Sequence, residues 1–135
     1  MAACVARGDE LIGHGHSNAE RQGRFSEAAK RDLLATCRAR MQTHSGTTPE
    51  GWLSPWISES RHTSDLLAET GYRYTLYWCH DDQPVRLRTR DGQGLWAVPY
   101  PQELNDIPMI VARPRTCGQT RPSIRPPDGF KTMGA

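Results

Sequence analysis

The chain has 135 residues, 36% hydrophobic and 24% charged, with a formal net charge of +2. That length allows one domain with a sizeable core, and so small a positive excess argues against the broad basic surface that nucleic acid or an anionic membrane selects. No apolar window is long enough to cross a bilayer and no leader peptide is visible. The four cysteines (Cys4, Cys37, Cys79, Cys117) contain no Cys-x-x-Cys pair. This argues against a disulfide framework or a structural zinc site and leads to the expectation of a reducing cytoplasm.

In chain order, residues 1–8 read as the last turns of a helix stopped by Gly8. A short apolar run, Leu11 and Ile12, then opens onto Gly13, His14, Gly15, His16, Ser17 and Asn18. A buried parallel strand that delivers side chains to a site ends in this way, apolar to the sheet edge and then small and polar. His14, His16 and Asn18 alternate, so an extended chain lines them along one side. Next, Phe25, Ala29, Leu33, Cys37 and Met41 recur every four residues, widened by Leu34. This predicts an amphipathic helix over about residues 26–44, capped by Ser26 and stopped by Gly46.

Gly51-Trp52-Leu53-Ser54-Pro55-Trp56 reads as a second strand ending in polar residues. A short helix follows, capped by Thr63 or Ser64 and stopped by Gly71. Residues 72–78, rich in aromatics and Thr, predict a third strand that runs out into Cys79-His80-Asp81-Asp82-Gln83-Pro84. Strands alternating with helices imply parallel pairing with crossover connections. In such sheets ligand sites gather at the carboxyl ends of strands, where all three polar clusters then lie. Residues 85–90 and 95–98, joined by Asp91-Gly92-Gln93-Gly94, predict a hairpin with Arg86, Arg88 and Arg90 on a solvated face. A further polar exit carries Glu103, Asn105 and Asp106 before an apolar run over 107–112. Residues 113–135 have five basic side chains, one acidic one and no apolar period, so a disordered tail is expected there.

Several chemistries fit these clusters. His14, His16 and His80 with an aspartate are candidate metal ligands, and Asp81, Asp82, Glu103 and Asp106 are candidate acid/base carboxylates. Ser17 and Ser54 lack the Gly-x-Ser-x-Gly setting of an activated serine. Trp52, Trp56, Trp78 and Trp96 are candidates to stack on a sugar or ureide face, or to fill the core.

Together the segment 10–22, the Gly51-Trp52-Leu53-Ser54-Pro55-Trp56 run, the segment 78–84 and Val98-Pro99-Tyr100-Pro101-Gln102-Glu103-Leu104-Asn105-Asp106-Ile107-Pro108 resemble the polysaccharide deacetylase superfamily. This is the NodB-homology domain, and the likeness is greatest to its allantoinase-like branch. The resemblance covers about residues 1–112. It implies an α/β fold, part of a distorted (β/α) barrel, hydrolysing non-peptide carbon–nitrogen bonds of N-acetyl sugars or ureide-like amides. His14 matches the first histidine of the family's His-Ser/Thr-x-x-His motif and Asn18 its second, while Gly15 takes the Ser/Thr place. The Arg-x-Pro-Tyr motif falls on Leu53-Ser54-Pro55-Trp56, without its arginine. The upstream Asp-Asp pair and the C-terminal Leu-x-His motif have no match. A whole barrel of this kind needs about 250 residues, so an incomplete piece is expected.

The resemblance thus implies His14, Asp81 and Asp82 as catalytic residues. It implies His16, Asn18, Trp56, Glu103 and Asn105 as substrate-binding ones. It implies no cofactor, with zinc at His14 as the alternative. A small-molecule or sugar substrate is expected, without nucleic acid or membrane, and with a homo-oligomer as one way to complete the barrel. The competing expectation is a non-catalytic half-barrel that binds a sugar or ureide weakly.

Overall fold

The computed structural model of the protein describes residues 1–101. The first helix, α1 (Ala2–Arg7), ends on Gly8 at φ +82° and buries none of its side chains. The long helix α2 (Glu27–Ser45) forms where the sequence predicts it. Ser26 Oγ accepts the Ala29 N–H at 3.2 Å, Glu27 sits in the first turn, and Gly46 closes the helix at φ +74°. Its buried stripe keeps the predicted Leu33, Leu34 and Cys37, but Lys30 is buried in place of Ala29, which is exposed.

Lys30 is fully buried because its ammonium finds a partner. Nζ donates to Thr63 Oγ1 at 2.6 Å, with the half-buried Glu59 nearby as countercharge. Thr63 is therefore not the cap of helix α3 (Thr63–Glu69); His62 occupies that position without a side-chain cap. The Thr63 hydroxyl oxygen instead accepts from Lys30 and from the Ser60 N–H at 2.8 Å.

Four short strands, β1 (Gly51–Trp52), β2 (Tyr74–Thr75), β3 (Val85–Leu87) and β4 (Leu95–Ala97), form one sheet in the order β1-β2-β4-β3. β1, β2 and β4 run parallel and β3 is antiparallel to β4, as strand–helix alternation and the hairpin imply. The strand expected at Leu11 and Ile12 is reduced to one parallel bridge between Gly13 and Trp52. Its two hydrogen bonds are Gly13 N–H to Gly51 O at 2.8 Å and Leu53 N–H to Gly13 O at 3.0 Å. The second and third strands are also shorter than predicted. Pro55 has no N–H to continue β1. At the start of β2 the Arg73 and Tyr74 N–H groups share one acceptor, Glu50 O, which breaks regular pairing. Among the described residues the sheet is open and no barrel closes.

The core joins Leu33, Leu34 and Cys37 of α2 to Leu66 and Leu67 of α3, with Trp52, Tyr72, Tyr77 and Leu95. The Trp52 and Tyr72 rings meet edge to face at 5.3 Å, and Tyr72 donates its hydroxyl to Leu34 O at 3.2 Å. Strand alternation turns Leu95, Ala97 and Leu87 toward the helices and Trp96 and Arg86 away from them. Cys4, Cys37 and Cys79 are free thiols, and burial pushes the Cys37 thiol up. No helix among the described residues is long and apolar enough to cross a membrane. The predicted tail and the apolar run 107–112 lie outside the described residues.

Arg86, Arg88 and Arg90 are all exposed, as a solvated face implies, but Arg90 also reaches the helices, where its guanidinium bonds Glu27 and Glu69 while its N–H donates to Asp65 Oδ1 at 2.9 Å. Arg31 adds a second ion pair to Glu69. This clasp fastens the hairpin across α2 and α3.

The clasp sets an acid limit on stability. Hydrogen bonding to Arg90 holds the Glu69 carboxyl at about 2, below the roughly 4.3 of an unfolded glutamate. Its contribution is complete above that unfolded value and is lost as pH falls toward 2. Thermal melts between pH 6 and 2.5 are expected to show this loss, and Arg90→Ala to lower the neutral-pH melting temperature while flattening the acid dependence.

Lys30 gives the opposite edge. Burial brings its ammonium down to about 8, against about 10.4 unfolded, so the unfolded chain binds more protons between these values and stability rises with pH there. Urea titrations from pH 7.5 to 9.5 are expected to show the rise in wild type and its absence in Lys30→Met.

Candidate functional site

Because Gly13, β1, β2 and β4 all run the same way, their carboxyl ends reach one edge of the sheet. The register continues past the strands, with Leu76 N–H donating to Trp52 O at 3.1 Å and Val98 N–H to Thr75 O at 2.9 Å. His14 follows the first of these ends, Leu53 and Ser54 the second, Leu76 and Tyr77 the third. This is the edge at which parallel sheets hold ligands.

The first two strand-end loops are laced together. His14 Nδ1 lies 2.5 Å from Leu53 O. A carbonyl oxygen only accepts, so Nδ1 carries a proton, and Nε2 is the ring nitrogen left to face outward. Four residues on, Asn18 O accepts the Trp56 indole N–H at 2.7 Å. The single-turn helix Gln22–Arg24 adds a third tie, Gly23 N–H to Ser58 Oγ at 2.9 Å. The imidazole of His14 is thus oriented from behind and open to solvent in front.

Trp56 is held in an unusual state. Its φ is +61° and that of Ile57 is +49°, left-handed values that cost energy for residues with a branched or bulky side chain. The ring is 60% exposed, with the Arg21 guanidinium 5.0 Å from its centroid on one face. Trp56 is thus strained, solvent-facing, and held at its N–H and by a guanidinium over one ring face.

Gly15 shows why glycine recurs in the histidine segment. Its φ is +106°, and a Cβ there would collide with the Gln22 side-chain amide, which is fully buried beneath it. Gln22 and Arg21 are contributors that the sequence did not single out. Both follow a polar loop with no periodicity, and their roles arise only where the loop folds back on residues 54–58.

The remaining candidates are placed as follows. His16 is exposed, as is the Asn18 side chain. Asp81 and Asp82 are exposed on the loop after β2, with His80 at φ +42° and Asp82 at φ +57°. Among the described residues no hydrogen bond or ion pair ties either carboxylate to His14. Ser17 Oγ accepts the Ala19 N–H at 3.1 Å and the buried Ser54 donates to Ser58 O at 2.9 Å, so both hydroxyls serve local structure. Trp52 is core; Trp78 and Trp96 are exposed. Glu103, Asn105 and Asp106 lie outside the described residues.

Among the described residues no three His, Cys, Asp or Glu side chains gather into a metal-holding group. His16, His80, Asp81 and Asp82 lie on the strand-end loops along with His14, and the amide of Asn18 stands four residues after His14, where the family motif has a second imidazole. An amide oxygen in place of a second imidazole does not fit zinc.

No family model matches the chain. It is 28% identical over 108 residues to the peptidoglycan deacetylase of Helicobacter pylori, a match covering 78% of this chain and 36% of that protein. Among solved structures, a Mycobacterium smegmatis protein assigned as a polysaccharide deacetylase superposes with a TM-score of 0.71 at 26% identity, over 98% of this chain and 41% of the other. PuuE allantoinase gives a TM-score of 0.68 at 26% identity, over 78% and 35% of the two chains. The chain thus spans between a third and about two-fifths of the length of these proteins.

The backbone at residue 56 provides a direct check on this geometry. Trp56→Ala and Trp56→Gly lose the same ring, but only glycine adopts φ +61° without strain. Urea unfolding is expected to find the Gly variant more stable than the Ala variant by about 1 kcal/mol.

Proposed function

We propose that this chain, which belongs to the NodB-like polysaccharide deacetylase superfamily, holds and hydrolyses an N-acetyl sugar at its strand-end edge. The observation that carries this reading is the pair of ties lacing the first two strand ends. They leave His14 Nε2 facing outward and, on the same two loops, an exposed tryptophan ring. The bond broken is the non-peptide carbon–nitrogen bond of an acetamido group. Activity and substrate are inferred for a chain that spans 36% of its curated relative.

In this reading Trp56 stacks on the apolar face of a pyranose, its free ring face being the one opposite Arg21. Aromatic rings take sugars in this way because the ring buries C–H surface while the sugar hydroxyls stay solvated. His16 and the Asn18 amide supply polar contacts, with Glu103 and Asn105 as further candidates. A water attacks the acyl carbonyl and gives its proton to His14 Nε2, whose ring is oriented by the Nδ1–H bond to Leu53 O; the adduct then collapses as His14 passes that proton to the departing sugar nitrogen, the C–N bond breaks, and acetate and the free amine leave. Asp81 and Asp82 steady the substrate or the imidazolium from the loop after β2. In this reading water activation rests on these protein groups, with zinc at His14 as the alternative.

A second reading keeps the binding and drops the chemistry. It is favoured by Leu53 standing where the family motif has arginine, and by the lack of a bond between His14 and either carboxylate. Sugar would then quench the exposed tryptophans without turnover.

The test is hydrolysis of an N-acetylglucosamine oligomer and of allantoin by the 135-residue protein, with and without EDTA, beside His14→Ala. The expected result is turnover of the oligomer, indifferent to EDTA, with kcat/KM reduced about 100-fold or more in His14→Ala. Turnover abolished by EDTA would overturn the metal-free mechanism. Binding without turnover would leave the second reading in its place.

A further inference from the structure

Arg21 is an exposed residue at the head of the Gln22–Arg24 turn, on the segment that leads away from His14 and His16. Its guanidinium lies 5.0 Å from the centroid of the Trp56 ring. Arg31, Arg73 and Arg90 each reach a glutamate. Among the described residues Arg21 makes neither an ion pair nor a hydrogen bond. A ring contact engages only the face of a guanidinium. Its five N–H donors project around its edge, where they match a carboxylate or a phosphate two at a time. The donors of Arg21 therefore stay available beside an exposed aromatic ring.

The charges around Trp56 leave that guanidinium without a competitor. Arg24 is exposed three residues on, and Glu20 is half-buried with its Oε2 shut away from solvent. Beyond Trp56, Glu59 is half-buried too; burial pushes its carboxyl up, and the charge it faces is that of Lys30. Leu53, on the strand that leads to Trp56, brings no charge. The exposed carboxylates of Asp81 and Asp82 stand on a different loop, the one after β2.

We infer that Arg21 determines specificity: among acetamido sugars that stack on Trp56, the site takes those bearing an anionic substituent, a carboxylate or a phosphate, in preference to neutral ones. This rests on the proposed function, which puts the sugar on the free face of the indole. The substituent then passes the ring edge to reach the N–H donors on the other side. The ring is fixed for this by its own N–H, held by Asn18 O at 2.7 Å. Arg21 is neither acid nor base here, since a guanidinium keeps its proton. It holds the ligand's charge while the carbonyl is presented to His14.

The test is an NMR titration of the 135-residue protein, followed at the Trp56 indole N–H, which is assigned by its loss in Trp56→Phe. Three sugars are compared: N-acetylglucosamine, its 6-phosphate and its 6-carboxylate. The two charged arms separate phosphate from carboxylate as the preferred group. At least one of them is expected to bind about 10-fold more tightly than the neutral sugar, with the preference shrinking in about 0.5 M NaCl. Arg21→Gln is expected to bring charged and neutral sugars to within about 2-fold of each other, and Arg21→Lys to keep part of the preference. Equal affinities in wild type, or a preference that survives in Arg21→Gln, overturn the inference and leave the proposed function standing. A Trp56 signal that moves with none of the three sugars overturns both.

Discussion

Gly13 against Trp52 is the contact on which the rest depends. Trp52 is fully buried, carries β1 and packs edge to face on Tyr72. The first strand end can join it only because residue 13 has no side chain; a Cβ there would overlap the indole ring and press on the Tyr72 hydroxyl. The two backbone bonds of this bridge hold Gly13 beside β1, and His14 is the next residue along. The position of the imidazole is thus a packing consequence of a glycine one residue earlier.

From that fixed point the polar loops are built with a mixture of satisfaction and strain. Lys30, Thr63, Ser60 and Glu59 form a buried polar knot between α2 and the segment leading into α3. The left-handed turn at Trp56 and Ile57 lies just upstream. Burying an ammonium is costly unless it is hydrogen-bonded and countered. Here the same contacts that compensate for it also tie the loop to the long helix. A tryptophan with positive φ persists only where its surroundings over-determine it, and the bond to Asn18 O, the Arg21 guanidinium and the knot behind it supply that.

The sheet divides the described residues into two chemistries. One face holds the apolar core with α2 and α3, fastened at its far end by the Arg90 clasp to Glu27 and Glu69. The other carries aromatic and charged side chains. The carboxyl ends of β1, β2 and β4 and the bridge at Gly13 reach one edge of this sheet. Solved polysaccharide deacetylase and allantoinase structures superpose on the chain with TM-scores of 0.66 to 0.71 over the stretch they share with it.

Much of this was legible in the sequence. The capped helix, the strand–helix alternation and the polar strand ends followed from local rules: a serine before an apolar period, glycine after it, and turn residues between hydrophobic runs. The motif stretches were enough to mark the superfamily. What local rules missed were quantities decided by packing. The strand at Leu11 and Ile12 shrank to one bridge, and β1 and β2 are short where Pro55 lacks an N–H and where the Arg73 and Tyr74 N–H groups share Glu50 O. Lys30 replaced Ala29 in the buried stripe because a partner 33 residues away, Thr63, made its burial tolerable. Arg90, still exposed, pairs with two glutamates that only tertiary folding brings near. The sequence alone determined which residues end the strands and which chemistry they bring. Only the tertiary structure decided which of them meet, since hydrogen bonds such as His14 to Leu53 O and Trp56 to Asn18 O join residues nearly forty positions apart.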